Sequence, residues 1–266
     1  MSAFRRCLVV KDTAALLKLE NKEGIPRESA YLGPFSASTS QRRSEFANSE
    51  LPGDTVFVEA TSGTVGAIVV QLSKANGCRV IVSTGAHEKF AYVASLGPDA
   101  VFNYKLVPTT KVLEREGPIN IYWDNVRGEV LEAALKQAAT HARVIVRPLP
   151  VAALFRVAFS HRRWRRRFQF NWICGSASTY GTAGPYDVKN LQVPPWKEIR
   201  MNGFLVAALE PKYQEEFYRE VPAKHAKGEV KYKEDFVRGL EKSPEAIVEV
   251  HKGDDFGKSV LVVGEE

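Results

Sequence analysis

From Asp54 onward, short runs of β-branched and aromatic residues alternate with segments whose apolar positions recur at helical spacing. Thr55 to Ala60 (TVFVEA) predicts a buried strand, and Ala67 to Asn76 (AIVVQLSKAN) a helix. Gly77 stands where a helix commonly ends in a left-handed residue, and Arg79 to Thr84 (RVIVST) predicts a second buried strand. Together these pieces make a βαβ unit. Beyond it the pattern predicts a helix over Glu88 to Leu96 ended by Gly97, strands over Ala100 to Asn103 and Ile119 to Trp123, a helix over Glu129 to Thr140 and a strand over Ala142 to Val146. Strands alternating with helices imply an α/β fold with a doubly wound parallel sheet.

The pattern changes on both sides of this core. Towards the C-terminus, helices are predicted over Lys212 to Lys227 and Pro244 to His251, with a closing strand over Ser259 to Val263 (SVLVV). In the first fifty residues only Thr13 to Lys18 has a helical spacing, and Phe35 to Arg43 is a Ser-rich tract without periodicity.

Between the first strand and its helix lies Ala60-Thr61-Ser62-Gly63-Thr64-Val65-Gly66. Small residues there let the backbone approach a pyrophosphate resting against the helix N-terminus. By itself such a segment also suits an ordinary tight turn; the strand before it and the helix after it favour dinucleotide binding. In NAD-binding domains of this kind an acidic residue near the end of the second strand takes the ribose 2′-hydroxyl. Here that strand ends at Ser83, Thr84 and Gly85, and His87 and Lys89 follow. A lysine there can neutralise a 2′-phosphate, which points to NADP(H); the other reading of Lys89 is a solvated residue in a helical first turn.

Composition bears on class and location. The 266 residues, 44% hydrophobic, are enough for one large domain or two small ones. No apolar run reaches the roughly eighteen residues needed to cross a bilayer, and the N-terminus lacks a signal-peptide pattern. The expectation is a cytoplasmic protein with no membrane partner. Cys7, Cys78 and Cys174 are scattered, without a CxxC pair or a matching His spacing, so no metal is expected. The net charge is +6, and the segment from Pro148 to Asn171 contains six arginines (Arg156, Arg162, Arg163, Arg165, Arg166, Arg167) and no acidic residue. Outside that segment the chain is therefore neutral, as befits a metabolic enzyme.

The blocks GDTVFVEATSGTVGAIVVQLSKANGCRV, EKFAYVASLGPDAVFNYK, GPINIYWDNVRGE, MNGFLV, EPKYQEEFY and KYKEDFVRGLEK resemble the zinc-independent medium-chain reductases that include prostaglandin reductases and plant or fungal alkenal double-bond reductases. The resemblance runs from about Gly53 to Val263 with one interruption. It implies a Rossmann NADP-binding domain over 51–240, a remnant of a β-rich GroES-like catalytic domain over 1–50, and a C-terminal segment, 241–266, returning to that remnant. It implies a pyrophosphate turn at Gly63, Thr64, Val65 and Gly66, adenosine-phosphate contacts at Lys89 and Tyr104, and a cofactor contact at Asn125. Cys174, Gly175 and the residues up to Tyr180 resemble the family's loop beside the nicotinamide, with Tyr180 as the catalytic candidate. Phe204, Leu205 and Val206 resemble the segment whose backbone holds the carboxamide; a buried strand is the competing reading there, and for Tyr180 a structural aromatic packed on the cofactor. The implied reaction is NADPH-dependent reduction of the carbon–carbon double bond of α,β-unsaturated aldehydes or ketones. The family also implies a small-molecule enal or enone substrate and a homodimer through the sheet edge.

Several features depart from the family pattern. Most of the separate N-terminal domain finds no counterpart, and the helix leading into the Rossmann domain is replaced by SASTSQRRSEFANSE. The basic tract at 148–171 interrupts the passage from strand to nicotinamide loop. It reads as retained intron sequence, as a surface loop, or as a basic arm for an acidic partner; Phe159, Trp164, Phe168 and Phe170 among the arginines suit single-stranded nucleic acid, for which one short tract is slight support. Arg127 stands where the family has glycine, in a turn that prefers positive φ, and Asp255 where the family has asparagine. Three functions thus remain open on the sequence: an NADPH-dependent double-bond reductase, a catalytically silent NADP-binding remnant that acts by association, and, third in order, a nucleic-acid-associated protein using the arginine tract.

Overall fold

The computed structural model describes residues 52–146, 186–203, 219, 223–225 and 227–262. Six parallel strands form one sheet: β1 (Thr55–Val58), β2 (Arg79–Thr84), β3 (Ala100–Asn103), β4 (Ile119–Asp124), β5 (Ala138–Val146) and β6 (Arg200–Gly203), in the order β3-β2-β1-β4-β5-β6. The order reverses between β1 and β4, and in sheets of this kind ligands lie in the crevice beyond the carboxyl ends of the strands at that reversal.

The apolar runs became strands because both faces of the sheet are covered. Successive side chains alternate between the two sides. Val56, Val58, Val80, Val82, Ile121 and Trp123 face one core with Val69 and Val70 of α1 (Thr64–Ala75). Phe57, Ile81, Tyr122 and Val144 face the other, with Val112 and Leu113 of α3 (Thr109–Glu116) and Leu131 and Leu135 of α4 (Glu129–Gln137). Phe57 stacks on Tyr122 with ring centroids 5.4 Å apart. Gly77 takes φ +75 just past the end of α1, and its N–H donates to the Lys74 carbonyl, as expected of a glycine in that position.

Several elements differ from the pattern-based expectation. The helix after β2, α2, covers only Phe90–Ser95, with Lys89 as its N-cap. α4 stops at Gln137, not Thr140: Ala138 turns extended and the chain goes straight into β5, whose bulge at His141 (φ +62) is held by the Lys197 carbonyl. Helix α3 was not anticipated, because its only buried residues, Val112 and Leu113, stand among charged neighbours. Tyr180, Cys174, Gly175, Phe204, Leu205, Val206, the tract 148–171, the first fifty residues and most of the predicted helix over 212–227 lie outside the described residues.

After a short helix α5 (Val193–Trp196), which precedes β6, the described C-terminal portion forms a separate two-stranded parallel sheet, β7 (Glu234–Arg238) with β8 (Lys258–Val262), joined by α6 (Ser243–Lys252). The expected boundary at 240/241 falls between these paired strands. Gln71 of α1 ties this unit to the main sheet, donating to the Lys231 carbonyl (2.7 Å) and accepting from the Lys231 N–H (2.7 Å). Among the described residues no helix is long and apolar enough to cross a membrane.

Candidate functional site

The glycine turn follows β1 directly. Ala60 takes φ +51, the buried Thr61 hydroxyl donates to the Val58 carbonyl (3.2 Å), and Gly63 caps α1 while donating to the Ala60 carbonyl (3.1 Å). The first-turn N–H groups of a helix have no acceptor within it, so Thr64, Val65 and Gly66 present theirs at the carboxyl end of the sheet. Gly66 is required by contact: a Cβ there would lie 2.8 Å from both the Ala60 oxygen and Thr61 Cα. The turn and the helix thus touch backbone to backbone.

Asn125 is brought beside this turn from the end of β4. Its side-chain amide donates to the Glu59 carbonyl (2.9 Å) and its backbone N–H to Glu59 Oε1 (3.1 Å). The Val126 N–H (2.8 Å) and the Tyr122 hydroxyl (2.6 Å) donate to the same oxygen. Glu59 is only 1% exposed and Asp124 fully buried. Burial, then the neighbouring Asp124 charge, push the Glu59 carboxyl well above the usual range. Burial also raises Asp124, against the lowering effects of the neighbouring Glu59 and Arg127. One proton shared between two buried carboxyl groups is the state these surroundings favour.

Arg127 takes φ +67 and closes this cluster: its N–H donates to Asp124 Oδ1 (2.8 Å) and its guanidinium approaches Asp124 Oδ2 (3.8 Å). The residue departs from the family's glycine, and the backbone keeps the glycine conformation. Arg127→Gly would relieve about 1 kcal/mol of backbone strain, but would leave Asp124 without its cation. Breaking a buried pair costs about 3–5 kcal/mol, so urea unfolding at pH 7 is expected to show a net loss of about 2 kcal/mol; a gain would mean that strain dominates.

On the other side of the switch point, Lys89 is 4% exposed, not solvated. Its ammonium donates to the backbone carbonyls of Gly253 (2.8 Å) and Asp255 (2.5 Å), in the loop between α6 and β8. An ammonium carries three N–H groups, so one donor remains for a further acceptor. Tyr104 is half exposed; its ring lies across Gly85, where any Cβ would collide with the hydroxyl. Burial raises the Asp255 carboxyl, Lys89 lowers it, and Asp235 and Asp254 raise it further.

The structure therefore gathers Gly63, Thr64, Val65, Gly66 and Asn125 at one point, and Lys89 and Tyr104 at the ends of β2 and β3. The reading of the sequence missed Glu59 and Asp124. The signal was there: Glu59 keeps the parity of Phe57, and Asp124 that of Tyr122, on strands where Phe57 and Tyr122 are register partners.

Strand order and turn together define a Rossmann-type α/β domain. A family model described as zinc-binding dehydrogenase matches residues 64–166. The 2-alkenal reductase (NADP(+)-dependent) of Nicotiana tabacum is 32% identical over 283 residues, covering 100% of this chain and 71% of that protein. The (+)-pulegone reductase of Mentha piperita is 31% identical, covering 97% and 68%. The chain belongs to the zinc-independent medium-chain dehydrogenases and reductases, in the alkenal and prostaglandin reductase group. It spans 60% of a zinc-type alcohol dehydrogenase-like protein of Schizosaccharomyces pombe, to which it is 34% identical over 91% of its own length. Among solved structures, CurA from Vibrio vulnificus in complex with NADPH superposes with a TM-score of 0.74 at 26% identity, covering 94% of this chain and 69% of that one.

Proposed function

We propose that this chain binds NADP(H) and reduces the carbon–carbon double bond of α,β-unsaturated aldehydes or ketones. The observation that carries the reading is the pairing of a glycine turn that excludes any side chain at Gly66 with a lysine, in place of an acidic residue, just beyond the end of β2. The NADP dependence named for the tobacco relative and the NADPH complex of the Vibrio protein support the same cofactor.

In this reading the N–H groups at Thr64, Val65 and Gly66 receive the pyrophosphate. Lys89 gives its remaining donor to the 2′-phosphate, beside the Tyr104 hydroxyl. Asn125, held rigidly by Glu59, presents its amide to the cofactor. Bound NADPH supplies a hydride to the β-carbon of the substrate. The family resemblance assigns Cys174, Gly175 and Phe204 to Val206 to the nicotinamide, and Tyr180 would donate a hydrogen bond to the substrate oxygen as negative charge grows there.

Fluorescence titration with NADPH, followed by NADPH oxidation in the presence of a 2-alkenal, tests this. NADPH at a hundred times its Kd should raise unfolding stability by about 2.7 kcal/mol. Lys89→Ala should weaken NADPH binding by about tenfold or more while leaving NADH binding within about twofold, since one charge-assisted hydrogen bond contributes about 1.5–3 kcal/mol. Equal losses for both dinucleotides would make Lys89 a strut for the 253–255 loop and not a phosphate ligand. Saturable binding without alkenal consumption would leave the cofactor and remove the reductase.

A further inference from the structure

We propose that Glu59 is a positioning residue for the cofactor: through one carboxyl oxygen and its own carbonyl it locks the Asn125 loop against the glycine turn. The inference rests on the NADP(H) reading of this site and adds a residue to it.

A carboxyl group at the end of a buried strand is costly, and a hydrophobic residue would suit the position better if packing alone were at stake. Glu59 nevertheless stands there, with four hydrogen bonds that all come from one direction, β4 and the loop after it. Tyr122, Asn125 and Val126 supply three donors to Oε1, and the Asn125 amide supplies the fourth to the Glu59 carbonyl. Those bonds join the ends of β1 and β4, the two strands flanking the reversal of strand order. A crevice opens there because the chain leaves the two strands towards opposite faces, so backbone pairing alone does not hold the two loops together. The next residue, Ala60, is the one whose oxygen touches the position of Gly66. Any movement of Glu59 therefore reaches both the first turn of α1 and Asn125.

The other oxygen, Oε2, is buried without a hydrogen-bond partner among the described residues, as is Asp124 Oδ2 apart from its approach to Arg127. Asp124 lies close enough for its charge to raise the Glu59 carboxyl, and a proton held by such a pair must sit on one of the two. With Glu59 protonated, Asp124 keeps its charge for Arg127, and the cluster presents no net charge to an anionic pyrophosphate. A glutamine reproduces that arrangement: its oxygen accepts the three donors and its NH2 group replaces the acid proton.

The test compares NADPH dissociation constants of the full chain carrying Glu59→Gln, Glu59→Leu, Asn125→Ala and the Glu59→Leu/Asn125→Ala pair. Glu59→Gln should bind within about threefold of the unchanged protein, and Glu59→Leu about tenfold more weakly or worse. The paired substitution should be no weaker than the weaker of its two single variants, because both remove the same anchored amide. If Glu59→Leu does not yield folded protein, Tyr122→Phe, which deletes only a hydroxyl, should raise the constant about threefold. Unchanged binding in Glu59→Leu or in Tyr122→Phe, or strictly additive losses in the pair, would overturn the inference while the cofactor reading stood. Absence of NADPH binding by the unchanged chain would overturn both.

Discussion

Gly66→Val is expected to abolish measurable NADPH binding and to lower unfolding stability by about 3 kcal/mol, at the upper end of the cost of overpacking. Gly66 lies in the first turn of α1 with helical backbone, so its role is not conformational freedom. By helix propensity alone, replacing a helical glycine stabilises by up to about 1 kcal/mol. The steric argument predicts the opposite sign. The atoms a side chain would meet are backbone: the Ala60 oxygen and Thr61 Cα at 2.8 Å and the Ala60 carbon at 3.2 Å. None can rotate away. Thr61 is itself fixed by its hydroxyl on Val58, and Ala60 by the Gly63 N–H. Helix α1 must therefore lift from the turn, taking the first-turn N–H groups with it. At Gly63 a Cβ would meet only the Ala60 oxygen, at 3.3 Å, so Gly63→Ala should be much milder. Thermal unfolding and NADPH titration of the variants check both statements; a Gly66→Val protein that binds NADPH normally would remove the turn from the site.

Stability is expected to fall as pH rises from 5 to 9, with a slope of up to about 1.4 kcal/mol per pH unit for each proton retained only in the folded state. The sign follows from the carboxyl pair. Burial raises both Glu59 and Asp124 in the folded protein, whereas in the unfolded chain both ionise near pH 4. The folded state therefore holds a proton that the unfolded state has released. The contribution is complete below pH 4 and is lost as pH climbs through the folded value. The groups facing Glu59 are Tyr122 and Asp124 of β4 and Arg127 just beyond. Tyr122, also raised by burial and the two acids, acts in the same direction only above about pH 10. Asp99 and Glu116 oppose the trend. Lys74 and the Val80 N–H lower Asp99 against its desolvation, and Arg115 and Arg79 lower Glu116. Their contributions are present above pH 4 and lost in acid; Asp99 is exposed, and Glu116 pairs with the exposed Arg115 and the partly exposed Arg79, so both are small. Urea unfolding at each pH should therefore show an alkaline decline in the unchanged protein. Glu59→Gln should flatten it and be the more stable protein at pH 8. Superimposable profiles for the two proteins would contradict the shared proton.

Much of the parallel sheet was legible in the chain because its strands are buried on both faces, which demands continuous β-branched and aromatic runs at 55–58, 79–84, 100–103 and 119–124. The glycine turn was legible for a local reason, since Gly63 to Gly66 lie between a strand and a helix that each announce themselves. Helix α3 and strand β7 were not: α3 buries only Val112 and Leu113 and β7 buries no residue fully, so neither carries much apolar periodicity. Helix α4 was drawn three residues too long, because Ala138, Ala139 and Thr140 suit either a last helical turn or the first residues of a strand. Pairing with the neighbouring strand, not propensity, decided it.

By itself the sequence determined the alternation of strand and helix, the turn that approaches a ligand and the lysine that stands where an acid would otherwise be, since each depends on neighbours a few residues away. Only the tertiary structure decided what Lys89 and Glu59 do. The carbonyls that hold Lys89 come from 164 and 166 residues further along, and the donors on Glu59 from 63 to 67 residues away. Whether a charged side chain is solvated or buried in a network depends on which distant backbone groups the fold places against it. Local pattern holds no record of those neighbours.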